Sequence, residues 1–92
     1  MAYKLKWTPI AKEDYASVLL FIEANYGRDK ALIFLEKTEN ILLRILKFPR
    51  IYPISNKRKK IRKAIISKQS SLYYTIDDYE IWIIEFIDNR QN

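Results

Sequence analysis

Polar and apolar residues alternate at the start of the chain, and the pattern then changes to helical spacing. Tyr3, Leu5 and Trp7 are separated by single polar or small residues, which is the period-two pattern of a strand with one covered face. Thr8 and Pro9 follow directly, and they suit the N-cap and the first position of a helix. The sequence therefore predicts a first strand followed at once by a first helix.

Two segments carry apolar residues at spacings of three and four. The first runs to Gly27, the only glycine in the sequence, which accepts the left-handed conformation at a helix end. Asp29 is the predicted N-cap of a second helix, which continues until Pro49. Because only a few residues separate the two helices, we expect an antiparallel helical hairpin.

The last third of the chain has the composition of strands. Residues 61–67, 72–76 and 80–87 are rich in Ile, Tyr, Trp and Phe and are separated by short polar links. They predict a three-strand antiparallel meander, and the first strand is expected to join the same sheet so that its backbone groups are paired. The predicted fold class is α+β, a helical hairpin covering one antiparallel sheet, in one domain that spans residues 1–92.

The last strand is apolar on both faces. We assign Trp82, Ile84 and Phe86 to the core, and this leaves Ile81, Ile83 and Ile87 on the opposite face. That opposite face is either an ordinary screened sheet surface or an interaction surface for a partner. The remaining predicted core residues are Val18, Leu19, Ile22, Phe34, Ile41, Leu42 and Ile45.

Composition excludes several kinds of chemistry. The sequence has no Cys and no His, so it offers neither a disulfide nor the commonest metal ligand, and we expect no metal and no cofactor. Charges interrupt every apolar stretch before it reaches the length of a signal peptide or a membrane span, so we expect a cytoplasmic protein with no membrane partner.

Positive charge is concentrated in one segment. The net charge is +6, and residues 57–68 contain seven cations and no anion. Each cation is a candidate phosphate contact, although lysines at a sheet edge also discourage aggregation between edges. The candidate nucleic-acid or target-binding residues in this segment are Lys57, Arg58, Lys59, Lys60, Arg62, Lys63 and Lys68.

The order of elements, with an Asp-x-Arg-Gln motif at residues 88–91, resembles the RelE/ParE superfamily of bacterial toxins over essentially the whole chain. The residues that carry the resemblance are Thr8 with Pro9, Ala31 with Phe34 and Leu35, Leu46 to Pro49, Ile61 with Arg62, Tyr73 with Tyr74, and Phe86 to Arg90. The resemblance implies the toxin of a type II toxin-antitoxin module, linked to growth arrest and plasmid stabilization. It also implies a cognate antitoxin as partner, for which Ile81, Ile83 and Ile87 are the candidate binding residues.

Two mechanisms divide that superfamily. RelE-like members resemble ribosome-dependent mRNA endonucleases, and their cationic set would correspond here to Lys57, Lys60, Arg62 and Arg90. At the position where RelE-like members have an arginine on the third strand, this sequence has Ser71. The closing tyrosine of those members is also missing, since no tyrosine follows Arg90. We therefore favour the ParE-like alternative, in which DNA gyrase is the target and Arg90 joins the target-binding residues. A non-toxic module that binds nucleic acid or the ribosome is the alternative of a different class.

Overall fold

The fold consists of a helical hairpin packed on one face of a four-strand sheet. A computed structural model describes residues 2–56 and 58–88 of the chain. Its elements in chain order are β1 (Lys4–Trp7), α1 (Pro9–Tyr26), α2 (Arg28–Lys47), β2 (Arg62–Ile65), β3 (Ser70–Asp77) and β4 (Glu80–Asp88). The predicted α+β class, the hairpin and the three C-terminal strands are confirmed.

The strands lie in the order β1-β4-β3-β2. The pairs β2–β3 and β3–β4 are antiparallel, so the predicted meander is confirmed. β1 joins the same sheet but runs parallel to β4, with Leu5 beside Ile81 and Trp7 beside Ile83. The prediction of a purely antiparallel sheet is therefore wrong, because the hairpin returns the chain to the opposite edge before the meander begins.

A single residue connects the two helices. Thr8 caps α1 by accepting a hydrogen bond from the Ala11 backbone N–H over 3.0 Å, and Pro9 occupies the first turn as predicted. Gly27 has a φ of 93° and serves as the C-cap of α1 and the N-cap of α2. Asp29 therefore lies in the first turn of α2, not at the predicted N-cap, because the glycine makes a longer link unnecessary.

The core lies between the hairpin and the sheet. The residues buried there include Ala11, Val18, Ile22, Phe34, Ile41, Leu42, Ile45, Ala64, Leu72, Tyr74, Ile81, Ile83 and Phe86. Seven of the ten predicted core residues belong to this cluster and Leu19 packs against it, but Trp82 and Ile84 are only half-buried, on the other side of β4.

A β-bulge explains that difference. Tyr74 pairs with Ile83 and Tyr73 pairs with Glu85, so Ile84 is an extra residue in β4 with no partner on β3. The bulge reverses the alternation, and both Ile83 and Phe86 face the helices. The Phe86 ring consequently stacks on the rings of Trp7 and Tyr15, with centroid distances of 5.6 and 4.9 Å. No helix in residues 2–56 and 58–88 is long and apolar enough to cross a membrane.

Candidate functional site

The sheet face opposite the helices carries the candidate site. We call it the outer face; it contains Lys63, Ile65, Ser71, Tyr73, Thr75, Trp82, Glu85 and Ile87. Two rows of neighbours cross it from β2 to β4: Lys63, Tyr73 and Glu85 form one row, and Ile65, Ser71 and Ile87 form the other. The outer face therefore combines one charged and aromatic row with one largely apolar row.

Arg58 is committed to contacts within the protein. Its guanidinium forms an ion pair with the Glu85 carboxylate and lies 5.6 Å from the centre of the Tyr73 ring. The cation therefore covers one face of the aromatic ring, and the Glu85 carboxylate is its counter-ion. Tyr73 lies on the outer face and Tyr74 is fully buried, as expected for neighbouring residues of a strand.

Arg62 holds a loop in place. Its Nη1 donates hydrogen bonds to the Tyr52 carbonyl oxygen over 2.7 Å and to the Arg50 carbonyl oxygen over 3.2 Å. The buried Tyr74 hydroxyl donates to the Pro49 carbonyl oxygen over 2.7 Å, which anchors the start of the same loop. Arg62 thus satisfies backbone acceptors between α2 and β2, and this geometry differs from that of a free phosphate-binding side chain.

The other predicted cations are distributed around β2. Lys59 and Lys60 are exposed on the turn before the strand. Lys60 has a φ of 65°, and its backbone carbonyl oxygen accepts a hydrogen bond from the Thr75 hydroxyl over 2.9 Å. Lys63 lies on the outer face, whereas Lys68 is exposed in the β2–β3 turn at the far end of the strand. The structure therefore places Lys59, Lys60 and Lys63 at one end and Lys68 at the other. Lys57 and Arg90 lie outside the described residues.

A groove of about 450 Å³ opens beside β2, and we call it the edge groove. It is lined by Tyr52, Pro53, Ile54, Ser55, Asn56, Lys63, Ile65 and Tyr73. Of these residues, only Lys63 is among the binding residues predicted from the sequence. Ile54, shortly before the cationic segment, and Ile65, within it, are the apolar residues of the sequence that could have indicated the rest of the lining.

The wall of the edge groove is a short strand-like segment. Ser55 N–H donates to the Ile61 carbonyl oxygen over 2.6 Å, and Lys63 N–H donates to the Pro53 carbonyl oxygen over 3.1 Å. These bonds and the isolated bridge between Ile54 and Arg62 cover the beginning of β2. The segment covers the edge of β2 only as far as Lys63, because the residues before Pro53 lead back towards α2.

The assignment of Ile81 and Ile83 to the outer face is wrong. Both side chains are fully buried against the helices. Ile81 and Ile83 lie two positions apart in the part of β4 that precedes the bulge, so they share the face that is turned towards the helices. Ile87 lies on the outer face as expected, and it is half-buried. Between Ile65 and Ile87, Ser71 is 6% exposed, so this position of the outer face is a covered serine.

Two tyrosines have perturbed acidity. Burial raises the pKa of Tyr74, with a partly opposing effect of the Arg62 cation, and burial also raises the pKa of Tyr15. Both hydroxyls are therefore protonated at neutral pH, and neither is suited to accept a proton there. In the part of the chain that the structure describes, no group of three His, Cys, Asp or Glu side chains is arranged to hold a metal ion.

Comparison of the sequence with protein-family models and with curated proteins gives no match. Solved structures do match. A chain of the chromosomal ParDE toxin-antitoxin system from P. aeruginosa superposes with a TM-score of 0.80 at 17% identity, covering 95% of this chain and 96% of that one.

Two further structures extend the similarity. The YoeB dimer from Staphylococcus aureus gives a TM-score of 0.66 at 21% identity, with coverage of 95% of this chain and 97% of that chain. The DinJ-YafQ toxin-antitoxin complex from E. coli gives a TM-score of 0.67 at 9% identity, with coverage of 99% and 97%. The chain therefore has the fold of the RelE/ParE superfamily of toxins.

Proposed function

We propose that this chain is the toxin of a type II toxin-antitoxin module, that an antitoxin neutralises it, and that its target is DNA gyrase, as for ParE-like toxins. The observation that carries the choice of target is the outer face. It presents cations and a tyrosine, but Ser71 is covered between two isoleucines at the position that would hold a catalytic arginine.

Cleavage of RNA requires a group that takes the 2′-hydroxyl proton and groups that stabilise the charged phosphorane. Arg62 is bonded to two backbone carbonyls and Arg58 to Glu85, so both guanidiniums of the described basic segment are already engaged. The buried Tyr74 hydroxyl is bonded to Pro49 and has a raised pKa. These contacts support a protein that binds its target without cutting RNA.

Induced expression in a bacterial host tests toxicity. We expect growth arrest that co-expression of the neighbouring antitoxin gene relieves, and inhibition of gyrase supercoiling by the purified chain. A variant with Lys59, Lys60 and Lys63 changed to Ala should lose inhibition, whereas a double variant at the exposed helical residues Lys12 and Lys47 should retain it. Full supercoiling activity in the presence of the unmodified chain contradicts the gyrase assignment.

The cations around the edge groove favour a second candidate, a RelE-like endonuclease that cuts mRNA on the ribosome. Lys59, Lys60 and Lys63 lie at one end of β2, where they offer several contacts to a phosphate backbone. Translating ribosomes incubated with the chain distinguish the two targets. Codon-phased mRNA cuts that Arg90→Ala abolishes establish the endonuclease.

A non-toxic module that binds nucleic acid or the ribosome predicts normal growth in the same expression experiment. It also predicts that no short antitoxin-like reading frame accompanies the gene. Growth arrest with gyrase inhibition excludes this candidate.

A further inference from the structure

We propose that the open half of the β2 edge, together with the edge groove, binds an extended acidic peptide that pairs with Ile65 as an additional strand. The inference rests on the proposed function only in taking the antitoxin as the source of the peptide. Its evidence is the pairing of β2, the exposure of two isoleucines and the charge of the surrounding residues.

β2 is an edge strand whose free side is only half covered. Ile66 N–H donates to the Ser70 carbonyl oxygen over 2.9 Å, so the alternating backbone groups of Lys63 and Ile65 point away from β3. The segment at residues 53–55 takes the Lys63 N–H, but within residues 2–56 and 58–88 no backbone hydrogen bond reaches Ile65 from this side. A strand laid beside Ile65 would satisfy these groups.

The side chains at this edge are apolar and exposed. Ile65 is 64% exposed and Ile54 is 52% exposed, and both line the edge groove. Apolar residues at alternate positions of an incoming strand would cover Ile65, with a gain of about 25 cal/mol for each Å² of apolar surface removed from water. The edge thus offers backbone hydrogen-bonding groups, which contribute affinity, and the edge groove, which selects side chains.

Charge selects the kind of peptide. Described residues 58–68 include six cations and no anion, and Lys63 lies within the groove itself. Glu or Asp at the positions between the apolar residues would meet these cations, and the attraction would accelerate association. The expected partner therefore alternates acidic and apolar residues.

A nucleic acid fits the same surface less well. Base stacking requires an accessible aromatic face, but Arg58 lies over the Tyr73 ring and is held there by Glu85. A nucleic acid also lacks the alternating N–H and C=O groups that complete a sheet edge, and it has no aliphatic side chains to cover Ile54 and Ile65. These three features favour a peptide.

The test uses the full chain and a synthetic nine-residue peptide that alternates Glu with Val, with binding measured by calorimetry and by amide chemical shifts. The test variant is Ile65→Asp and the matched control is Leu43→Asp. Leu43 on α2 is 63% exposed, which is close to the 64% exposure of Ile65. We expect Ile65→Asp to weaken binding about tenfold or more, from lost apolar burial and charge repulsion, and Leu43→Asp to change it less than about twofold. Equal binding by the two variants overturns the proposal.

Modified peptides test the pairing without any change to the protein. Methyl groups on the backbone nitrogens that face β2 should abolish binding, while methyl groups on the intervening nitrogens should leave it intact. A peptide of the same composition with its Glu residues clustered should bind weakly. Equal loss from both methylation patterns overturns strand pairing.

Two other results also overturn the proposal. One is a single-stranded oligonucleotide that binds in an Ile65-dependent manner when the peptide does not bind. The other is a dimer of the chain that Ile65→Asp dissociates, which would place a second copy on the edge. Growth arrest by a chain that binds no peptide leaves the proposed function standing and removes this inference alone.

Discussion

The Thr8 hydroxyl donates a hydrogen bond to the Ile84 carbonyl oxygen over 2.8 Å and thereby joins the first turn of α1 to the bulge in β4. The Thr8 N–H donates to the Ile83 carbonyl oxygen over 3.1 Å, and Asp14 Oδ2 accepts a hydrogen bond from the Phe86 N–H over 3.3 Å. The backbone groups around the extra residue therefore find partners on α1. One threonine caps the helix and supports the bulge.

Replacement of Thr8 should destabilise the fold more than loss of an ordinary helix cap. We expect Thr8→Ala to lower the free energy of unfolding by about 2 to 3 kcal/mol, because the cap and the bond to Ile84 are both lost. Thr8→Ser keeps both hydroxyl interactions and should remain within about 1 kcal/mol of the unmodified chain. Urea denaturation measures both values, and equal midpoints for Ala and Ser would contradict the double role.

The bulge predicts opposite behaviour for two neighbouring isoleucines. Ile83 is fully buried, so Ile83→Ala should lower the free energy of unfolding by about 2 to 5 kcal/mol. Ile84 is half-buried on the other side of β4, and Ile84→Ala should cost less than half as much. The two midpoints in urea are compared directly. A larger loss of stability for Ile84→Ala than for Ile83→Ala would support the uninterrupted alternation that was predicted from the sequence.

Alkaline pH should unfold the chain in part through Tyr74. Burial raises the pKa of this hydroxyl above its ordinary value of 10.0, so the folded state retains a proton that the unfolded state releases. The associated stability is complete below about pH 10 and is lost as the pH rises through the folded-state pKa.

Tyr74→Phe tests this linkage. The variant loses the bond to Pro49 and should be less stable at pH 8, but its stability should fall less steeply from pH 9 to pH 11. Tyr15, whose pKa burial also raises, should contribute in the same direction. Identical slopes for Tyr74→Phe and the unmodified chain would exclude a contribution from Tyr74.

Glu85 should restrain the cation at Arg58. Glu85→Gln removes an exposed ion pair and is expected to change the free energy of unfolding by less than about 1 kcal/mol. It should also speed association with the acidic peptide severalfold at low salt, since Arg58 becomes available to steer the encounter. Glu36→Gln on the exposed surface of α2 makes the same change in charge and is the control. Stopped-flow measurements at two ionic strengths give both rates.

The helical hairpin could be predicted from local signals. Thr8, Pro9 and Gly27 mark the ends of α1, and helical spacing identifies the buried residues of both helices. The parallel position of β1 could not be predicted in this way, because it depends on contacts between residues 76 positions apart, as for Thr8 and Ile84. Local patterns indicate that a strand exists but not which neighbour it takes.

The bulge at Ile84 was equally inaccessible. The run from Ile81 to Ile84 is apolar at every position, so no polar residue reveals where the alternation is interrupted. The cationic segment is evident in the sequence, but its side chains have different surroundings in space. Arg62 holds a loop, Arg58 is paired with Glu85, and Lys63 lies in the edge groove, which spacing along the chain does not distinguish.

The pairing of β1 with β4 also sets the order in which the fold is completed during synthesis. The two helices are joined by Gly27 alone, so their mutual contacts form between nearby parts of the chain as it emerges. The backbone groups of Lys4 and its neighbours in β1 can be paired only after Glu80 and the following residues of β4 have been synthesised. A nascent chain interrupted before β4 therefore carries a hairpin with an uncovered apolar side and an N-terminal strand without a partner, the kind of intermediate that chaperones recognise.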